Sequence, residues 1–579
     1  MEPAEVAPKW SGVDRGWCRG LKTDKMEGPG PEAGVVYTRP TFVSLALDLA
    51  GYVPSKNLLN THVLDVGCGY GQFIGEVVNR LVSCCASRDV RRTKAIQTIQ
   101  ECVRGVEVDP STARRARSRI LEIVQKKYGD IGDESRGISQ TIDVSDFLDW
   151  TPDAGTFDLI VGNLPYVKYE AISNLPHAKS HEWLRKQYDC FMGRADYSVA
   201  MMQKCVNLLS KQGSIAVITS NRFTQAEYGK RLRILIADRL RSLDELDLSR
   251  VSAFEHDVSA YASLFLSSPQ GNGNSHYVRL ANASNEGIEH LMKFGLKSAR
   301  SCQWYTANSR GFLPEKGGQW SPLPFRVTRI LQRLARDFPS IEESGFQVRN
   351  GPATGANDVF IKPLRDFPLG IRSKKRHLFP VCDGGTIDSS PDCAQRKHIL
   401  SVYEGGTGRL LNLNELPSDV RKYLAANKKD LKTRYIVREN GREWWSAIDS
   451  FDPELTYKRK VLVPDLQTGR SVWMDSGLVF PDHSVVYVTG PAKSLSPLTR
   501  LLQSSITDLF RAWKAPVMNG GTPRAYSHVI GQIPCPDVSL LSASGGSAQS
   551  LDPLWSAYDL CADEMNAIER AHSSVIHSS

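Results

Sequence analysis

One stretch constrains the chain more than any other: the apolar run that stops at Val63-Leu64-Asp65-Val66-Gly67-Cys68-Gly69-Tyr70-Gly71. Three glycines at alternate positions let the backbone turn sharply and pass close to a ligand where any Cβ would clash. An amphipathic segment follows, so the order is strand, tight turn, helix. That order opens an open α/β sheet. The alternation continues from Val35 to about residue 267. It predicts strands at His62 to Val66, Gly105 to Val108, Ile142 to Val144, Phe157 to Gly162, Ser214 to Thr219 and Ser263 to Leu266. Helices are predicted at Pro40 to Ala50, Gln72 to Val82, Ser111 to Lys127, Tyr197 to Leu209 and Tyr228 to Leu240.

At 579 residues the chain is long enough for several domains, and 41% hydrophobic with 23% charged residues excludes disorder or coiled coil as a global description. It has neither a long apolar span nor the apolar core of a signal peptide, so a cytoplasmic location is expected. Twelve cysteines are scattered with no C-x-x-C pair. Neither a zinc site nor a disulfide framework is expected, and the histidines do not cluster at ligand spacing, so no metal is assigned. The first 33 residues, rich in Gly, Pro and charge, read as a flexible leader.

Chemistry concentrates at the ends of the predicted strands. After the glycine turn, Gly105-Val106-Glu107-Val108-Asp109 ends an apolar run in carboxylates suited to accept hydrogen bonds from two ribose hydroxyls. Asp146-Phe147, after the next strand, suits an adenine amino group and the face of its ring. The glycine pattern alone also fits a plain tight turn or another nucleotide site. However, dehydrogenases usually show G-x-G-x-x-G with a pyrophosphate at the helix N-terminus. The spacing here differs, and in sequence order the three pieces resemble the nucleoside-binding edge of S-adenosylmethionine-dependent methyltransferases of the Rossmann-like class, which implies a cofactor with a sulfonium and an amino acid tail, without phosphate.

The next predicted strand ends in Gly162-Asn163-Leu164-Pro165-Tyr166. An exocyclic base amine is a poor nucleophile because its lone pair is delocalised into the ring, so it calls for hydrogen-bond acceptors rather than a strong base. The Asn163 side-chain oxygen and the Leu164 carbonyl can each accept one N–H and stabilise the cation formed on methylation. Tyr166 offers a flat face for stacking, and Pro165 stiffens the loop.

Taken in order, Tyr37-Thr38-x-Pro40, the glycine turn, the Glu107 strand, Asp146-Phe147 and Asn-Leu-Pro-Tyr resemble the gamma-class adenine-N6 DNA methyltransferases of restriction-modification systems. Gly193-Arg194-Ala195-Asp196-Tyr197, Gly213 to Thr219 with Asn221-Arg222-Phe223, and Val251 to Glu255 extend the match. The resemblance implies a Rossmann-like class I methyltransferase sheet that uses S-adenosylmethionine. In that fold Thr38, Asp65, Gly67, Gly69, Glu107, Val108, Asp146 and Phe147 would line the cofactor pocket. Asn163, Leu164, Pro165 and Tyr166 would form the catalytic loop, with Tyr166 and Phe254 against a flipped-out adenine.

One position departs from the family, which usually has Pro where Leu164 stands. Asn-Leu-Pro-Tyr is common in ribosomal RNA adenine dimethylases, so an RNA methyltransferase is the first alternative. A DNA-binding subunit without catalysis is the second, and cytosine-N4 methylation a third. Length argues for DNA, because RNA dimethylases need only a small domain beyond the core. Here Val348-Arg349-Asn350-Gly351-Pro352-Ala353-Thr354-Gly355-Ala356-Asn357 resembles the segment that opens the family's target-recognition domain.

Residues 371–470 hold 19 Lys and Arg against 13 Asp and Glu, a net +6 of the chain's +9. Lys374, Lys375 and Arg376, then Lys458, Arg459 and Lys460, are candidates for phosphate contact, as are Arg372, Lys428, Lys429, Lys432 and Arg434. The expected division is 1–33 leader, 34–267 methyltransferase domain, 268–340 linker or helical connection, and 341–579 mixed α+β target-recognition domain with C-terminal helices. β-rich pieces are expected at Tyr435 to Arg438, Lys460 to Pro464 and Ser484 to Thr489. The expected partner is double-stranded DNA, with a separate restriction endonuclease as a companion of the system and no membrane; too few residues precede the core for a fused nuclease of about 100 residues.

Overall fold

The computed structural model describes residues 36–152, 157–175, 177, 179–240, 242–255, 262–267, 274–312, 317–387, 397–466, 471–515, 524–542 and 552–576. The expected leader, together with Cys18, His256 and Cys393, lies outside them. The chain forms two compact units. One takes Met1–Phe223, Arg231–Asn272 and Asn282–Ala299; the other takes Thr224–Lys230, Gly273–Ala281 and Arg300–Ser579.

In the first unit the strands are β1 (Val63–Val66), β2 (Val103–Glu107), β3 (Ile142–Val144), β4 (Phe157–Asn163), β5 (Leu209–Ser220), β6 (Leu243–Asp247) and β7 (Ala262–Ser267), in the order β3-β2-β1-β4-β5-β7-β6. The first five pair in parallel, while β7 runs antiparallel to both β5 and β6. Parallel pairing requires crossovers, which α1 (Pro40–Leu49), α2 (Gln72–Ser87), α3 (Arg92–Cys102), α4 (Pro110–Tyr128), α5 (Glu134–Ser139), α6 (His181–Gln187), α7 (Tyr197–Leu208), α8 (Lys230–Arg239) and α9 (Asn285–Phe294) supply or flank. Such strands are covered on both faces and read as continuous apolar runs. All four residues of β1 are accordingly buried.

Register fixes where chemistry can occur. Val66 lies beside Val106 on one side and Gly162 on the other, so the carboxyl ends of β1, β2 and β4 sit together. From β1 the order runs outward to β2 and β3 on one side and to β4 and β5 on the other. The crevice at that reversal is where open α/β sheets bind ligands. Gly162, at φ 142°, makes the junction possible, because a Cβ there would lie 2.6 Å from the Val66 carbonyl oxygen.

In the second unit β8 (Asn274–Leu280) and β9 (Tyr305–Phe312) form an antiparallel pair, and α10 spans Phe325–Asp337. Regular elements thus occupy much of the region expected to be a connection. The apolar face of α10, Val327, Ile330, Leu331 and Leu334, follows helical spacing and packs into a core with Val461, Val486 and Leu509. One four-stranded sheet joins β10 (Gln347–Asn350), β14 (Lys460–Pro464), β15 (Trp473–Asp475) and β17 (Val485–Thr489). Another joins β11 (Ile361–Lys362), β12 (Leu378–Cys382), β13 (Lys397–Leu400) and β16 (Phe480–Pro481). Tyr435–Arg438, expected as a β piece, is instead a one-turn helix. Its aromatic and β-branched residues belong to neither sheet, and a run this short does not distinguish strand from helix.

Candidate active site at the carboxyl ends of β1, β2 and β4

Asp65 is buried, and its Oδ2 accepts the Ile74 N–H at 2.8 Å, tying the end of β1 to the first turn of α2. Its Oδ1 is buried and accepts no hydrogen bond. At Gly67, φ 64°, nothing lies within 4 Å of where a Cβ would stand, so the turn is open on that side. Glu107 laces the next two turns together, with Oε2 accepting from Gly69 N at 2.9 Å and Oε1 from Asp109 N at 3.0 Å. Each oxygen keeps a further lone pair. Val108 beside it is 38% exposed, an apolar side chain available to a flat ligand.

Asp146 Oδ1 accepts from Leu148 N at 2.9 Å, while its buried Oδ2 has no hydrogen-bond partner and lies 3.9 Å from the Lys179 ammonium. The Phe147 ring corrects one expectation. It packs on Trp150 with the Lys204 ammonium 5.1 Å from its centroid, and only 4% of it is exposed. The ring belongs to the protein interior, which leaves Val108 as the exposed side chain and Asp146 Oδ2 as the open acceptor of this end.

Burial is the main cause that pushes the Asp65 carboxyl up to about 8; Glu107 adds to the shift and the Ile74 N–H opposes it. An unfolded Asp titrates near 3.8. The folded chain therefore holds a proton that the unfolded chain loses. The stability this gives is full below about pH 4 and is lost as pH rises through about 8. The melting temperature of the wild type, measured against Asp65→Asn without ligand, is expected to fall across that window. A constant difference would contradict the assignment.

The loop after β4 meets two distant segments. Asn163 Nδ2 donates to the Val36 carbonyl at 2.7 Å, leaving Oδ1 buried and unpartnered. Leu164 N donates to Ile218 O at 2.9 Å, which fixes the peptide that carries the residue 164 carbonyl. The Leu164 side chain itself is fully buried. Pro165 and Tyr166 are half-buried, and the Tyr166 hydroxyl also lacks a partner. The Tyr166 and Phe254 rings stand 5.8 Å apart at 70°. Phe254 is held by a bridge to Thr38 and by Arg39, whose Nε donates to its carbonyl at 2.8 Å. Thr38 Oγ1 is a further buried atom without a partner. Nearby, Tyr37 stacks on Tyr70 at 4.4 Å.

Residues 101–254 match the Eco57I restriction-modification methylase family. That segment runs from the end of α3 to Phe254 and includes Glu107, Asp146 and the Asn163–Tyr166 loop. Over 530 residues the chain is 30% identical to the type II methyltransferase M.BstVI of Geobacillus stearothermophilus, covering 88% of this chain and 91% of that protein. The chain belongs to the type II restriction-modification methyltransferases. Another member, M.XhoI of Xanthomonas vasicola, is 27% identical over 87% of this chain and 91% of its own length. Among solved structures, the type IIL restriction-modification enzyme MmeI in complex with DNA matches with a TM-score of 0.55 at 12% identity. The match covers 93% of this chain and 73% of that one and shows a shared fold.

In this methyltransferase the basic residues of the second unit separate into two kinds. Lys375, Arg376, Lys458 and Arg459 are exposed, and Lys374 pairs with Asp419 at 3.6 Å. Lys460 is a correction: it is fully buried and pairs with Asp475 at 2.5 Å. Its ammonium also donates to the carbonyls of Leu455, Thr456 and Lys458, so it holds a turn and offers nothing to a phosphate. Arg372 and Arg434 are likewise spent on backbone carbonyls, Arg434 on those of Leu431, Thr354 and Trp444. Sequence reasoning missed Val36 and Arg39 as the ties on Asn163 and Phe254. A carbonyl has no sequence signal, and a lone Arg beside Pro40 reads as surface. Among the described residues no helix is long and apolar enough to cross a membrane.

Proposed function

We propose that the chain is a site-specific DNA methyltransferase that moves a methyl group from S-adenosylmethionine to N6 of an adenine turned out of duplex DNA. The observation that carries this reading is Asn163: one amide end is fixed on Val36, and the other is a buried oxygen with no partner. A buried acceptor left open is costly unless something pairs with it, and an exocyclic N–H fits. The Tyr166 and Phe254 rings beside it suit a base that must regain in stacking what it loses on leaving the helix.

The residues present also fit the cofactor. Asp65 Oδ1 suits an ammonium, Glu107 keeps lone pairs for hydroxyls, and Asp146 Oδ2 with Val108 suits an amino-purine edge and face. Asp65 Oδ1 and Asp146 Oδ2 are both without a hydrogen-bond partner, and the turn at Gly67 is open. S-adenosylmethionine supplies an electrophilic methyl on sulfur, so no covalent enzyme intermediate is needed. The Asn163 oxygen and the Leu164 carbonyl would each accept a hydrogen bond from one N–H of the amine, turning the nitrogen lone pair toward the methyl carbon; as the N–C bond forms the C–S bond breaks, leaving a neutral thioether, and the nitrogen sheds one proton to solvent. The strand order β3-β2-β1-β4-β5-β7-β6 supports a Rossmann-like class I assignment. MmeI, which shares the fold, was solved in complex with DNA, and this supports duplex DNA as partner. Exposed Lys375, Arg376, Lys458 and Arg459 would contact phosphates, in a recognition domain formed from the second unit.

The test is transfer from labelled S-adenosylmethionine to mixed-sequence duplex DNA and, separately, to ribosomal RNA. Label in DNA alone is expected. Label in RNA alone would overturn the substrate class, and label in neither would leave a binding subunit.

A further inference from the structure

The first unit contains a cation that the reaction as proposed does not use. Lys204, on α7, donates its ammonium protons to the carbonyl oxygens of Phe147, Leu148 and Trp150, the middle one at 2.9 Å. These are three carbonyls of a single turn, and the turn begins at Asp146. Leu148 is gripped from both sides: its N–H binds Asp146 Oδ1, and its carbonyl accepts from Lys204 and from the Tyr188 hydroxyl at 2.8 Å. With Oδ1 thus committed, the oxygen of Asp146 left over is the buried Oδ2.

We infer that Lys204 is a positioning residue for the nucleoside end of the cofactor site, clamping the turn that presents Asp146 Oδ2. The inference rests on the reading that Asp146 binds the adenine of S-adenosylmethionine. An ammonium has three protons in three directions and can satisfy three carbonyls at once. A neutral amine has two, so loss of the proton frees one carbonyl and loosens the turn. Burial pushes the Lys204 ammonium down to about 8, against the opposing pull of Asp146, Asp149 and Cys205. The other groups around the turn are Lys179, which pairs with Asp149, and the hydroxyls of Tyr188 and Tyr197.

The test uses the full chain and S-adenosylmethionine, with affinity measured calorimetrically for wild type, Lys204→Met and Lys204→Arg across about pH 7 to 9. At pH 7 the Met variant is expected to bind about tenfold more weakly, with the loss appearing in KM for the cofactor more than in kcat. Arg, charged throughout, should restore most of the affinity. The ratio of wild-type to Lys204→Arg affinity should fall as pH passes about 8. A clamp serving stability alone would lower the melting temperature of Lys204→Met with cofactor affinity unchanged, and that result overturns the inference. So does a pH-independent ratio, which decides the matter even if Lys204→Met fails to fold. Wild type that binds no S-adenosylmethionine would instead overturn the cofactor reading on which the inference stands.

Discussion

Asn163→Ala is expected to lower methyl transfer by at least about 10²–10³-fold while leaving S-adenosylmethionine affinity within about twofold. The Oδ1 that disappears is the buried, unpartnered acceptor at the end of β4, and it acts on the amine as positive charge develops there. Removing an interaction made in the transition state lowers kcat and kcat/KM together. The variant also loses the 2.7 Å bond to Val36, a cost of about 1 kcal/mol that should leave the fold intact. Initial rates and calorimetric cofactor binding on the same preparation check both halves. A rate within tenfold of wild type would remove Asn163 from the chemistry, and a parallel loss of cofactor binding would make it a scaffold residue.

Lys460→Met is expected to destabilise the second unit by about 3–5 kcal/mol, because it strands the Asp475 carboxylate in a site that is 0% exposed on both side chains. It also releases three carbonyls of the turn that carries Tyr457, Lys458 and Arg459. Replacing Lys458 and Arg459 together by Ala should do the reverse. Both are exposed, so stability should hold, while DNA affinity falls and the slope of log affinity against log salt shrinks by about one for each phosphate no longer neutralised. Urea unfolding of both variants, with DNA titrations at several salt concentrations, separates the two roles. An unfolding midpoint unchanged by Lys460→Met, or an unchanged salt slope in the double variant, would contradict the assignment.

These two variants also mark how far the sequence reads. Lys458, Arg459 and Lys460 form one basic cluster by composition, yet the third begins the fully buried strand Lys460–Pro464. A lysine at the head of an apolar run was a signal for burial, but its partner Asp475 is fifteen residues away and only the pairing of β14 with β15 joins them. The parallel strands of the first unit are legible because burial on both faces demands continuous apolar runs. β6 is not, since Leu243-Asp244-Glu245-Leu246-Asp247 is three-fifths acidic and nonetheless buried throughout. Its carboxylates are satisfied within the fold, Glu245 by the Ser263 hydroxyl at 2.8 Å and Asp247 by Ser249 N. Hydrophobic periodicity has no view of such pairing.

At the site, residue types and order pointed to the carboxyl ends of β1, β2 and β4, and the sheet brings Asp65, Glu107, Asn163 and Tyr166 there. Which atoms remain open was not legible. Asn163 Oδ1 is open because Val36 occupies the other amide end, and the Phe147 ring is closed because Trp150 and Lys204 occupy it. The Val36 and Lys204 contacts join segments 127 and 57 residues apart, beyond the reach of any local pattern.

The most direct measurement of the central claim is the identity of the methylated nucleoside. Duplex DNA labelled by the wild-type protein and digested to nucleosides should yield N6-methyldeoxyadenosine, and the Asn163→Ala protein should yield none above background. Label recovered as a methylated cytosine, or N6-methyldeoxyadenosine formed equally well without Asn163, would contradict the account.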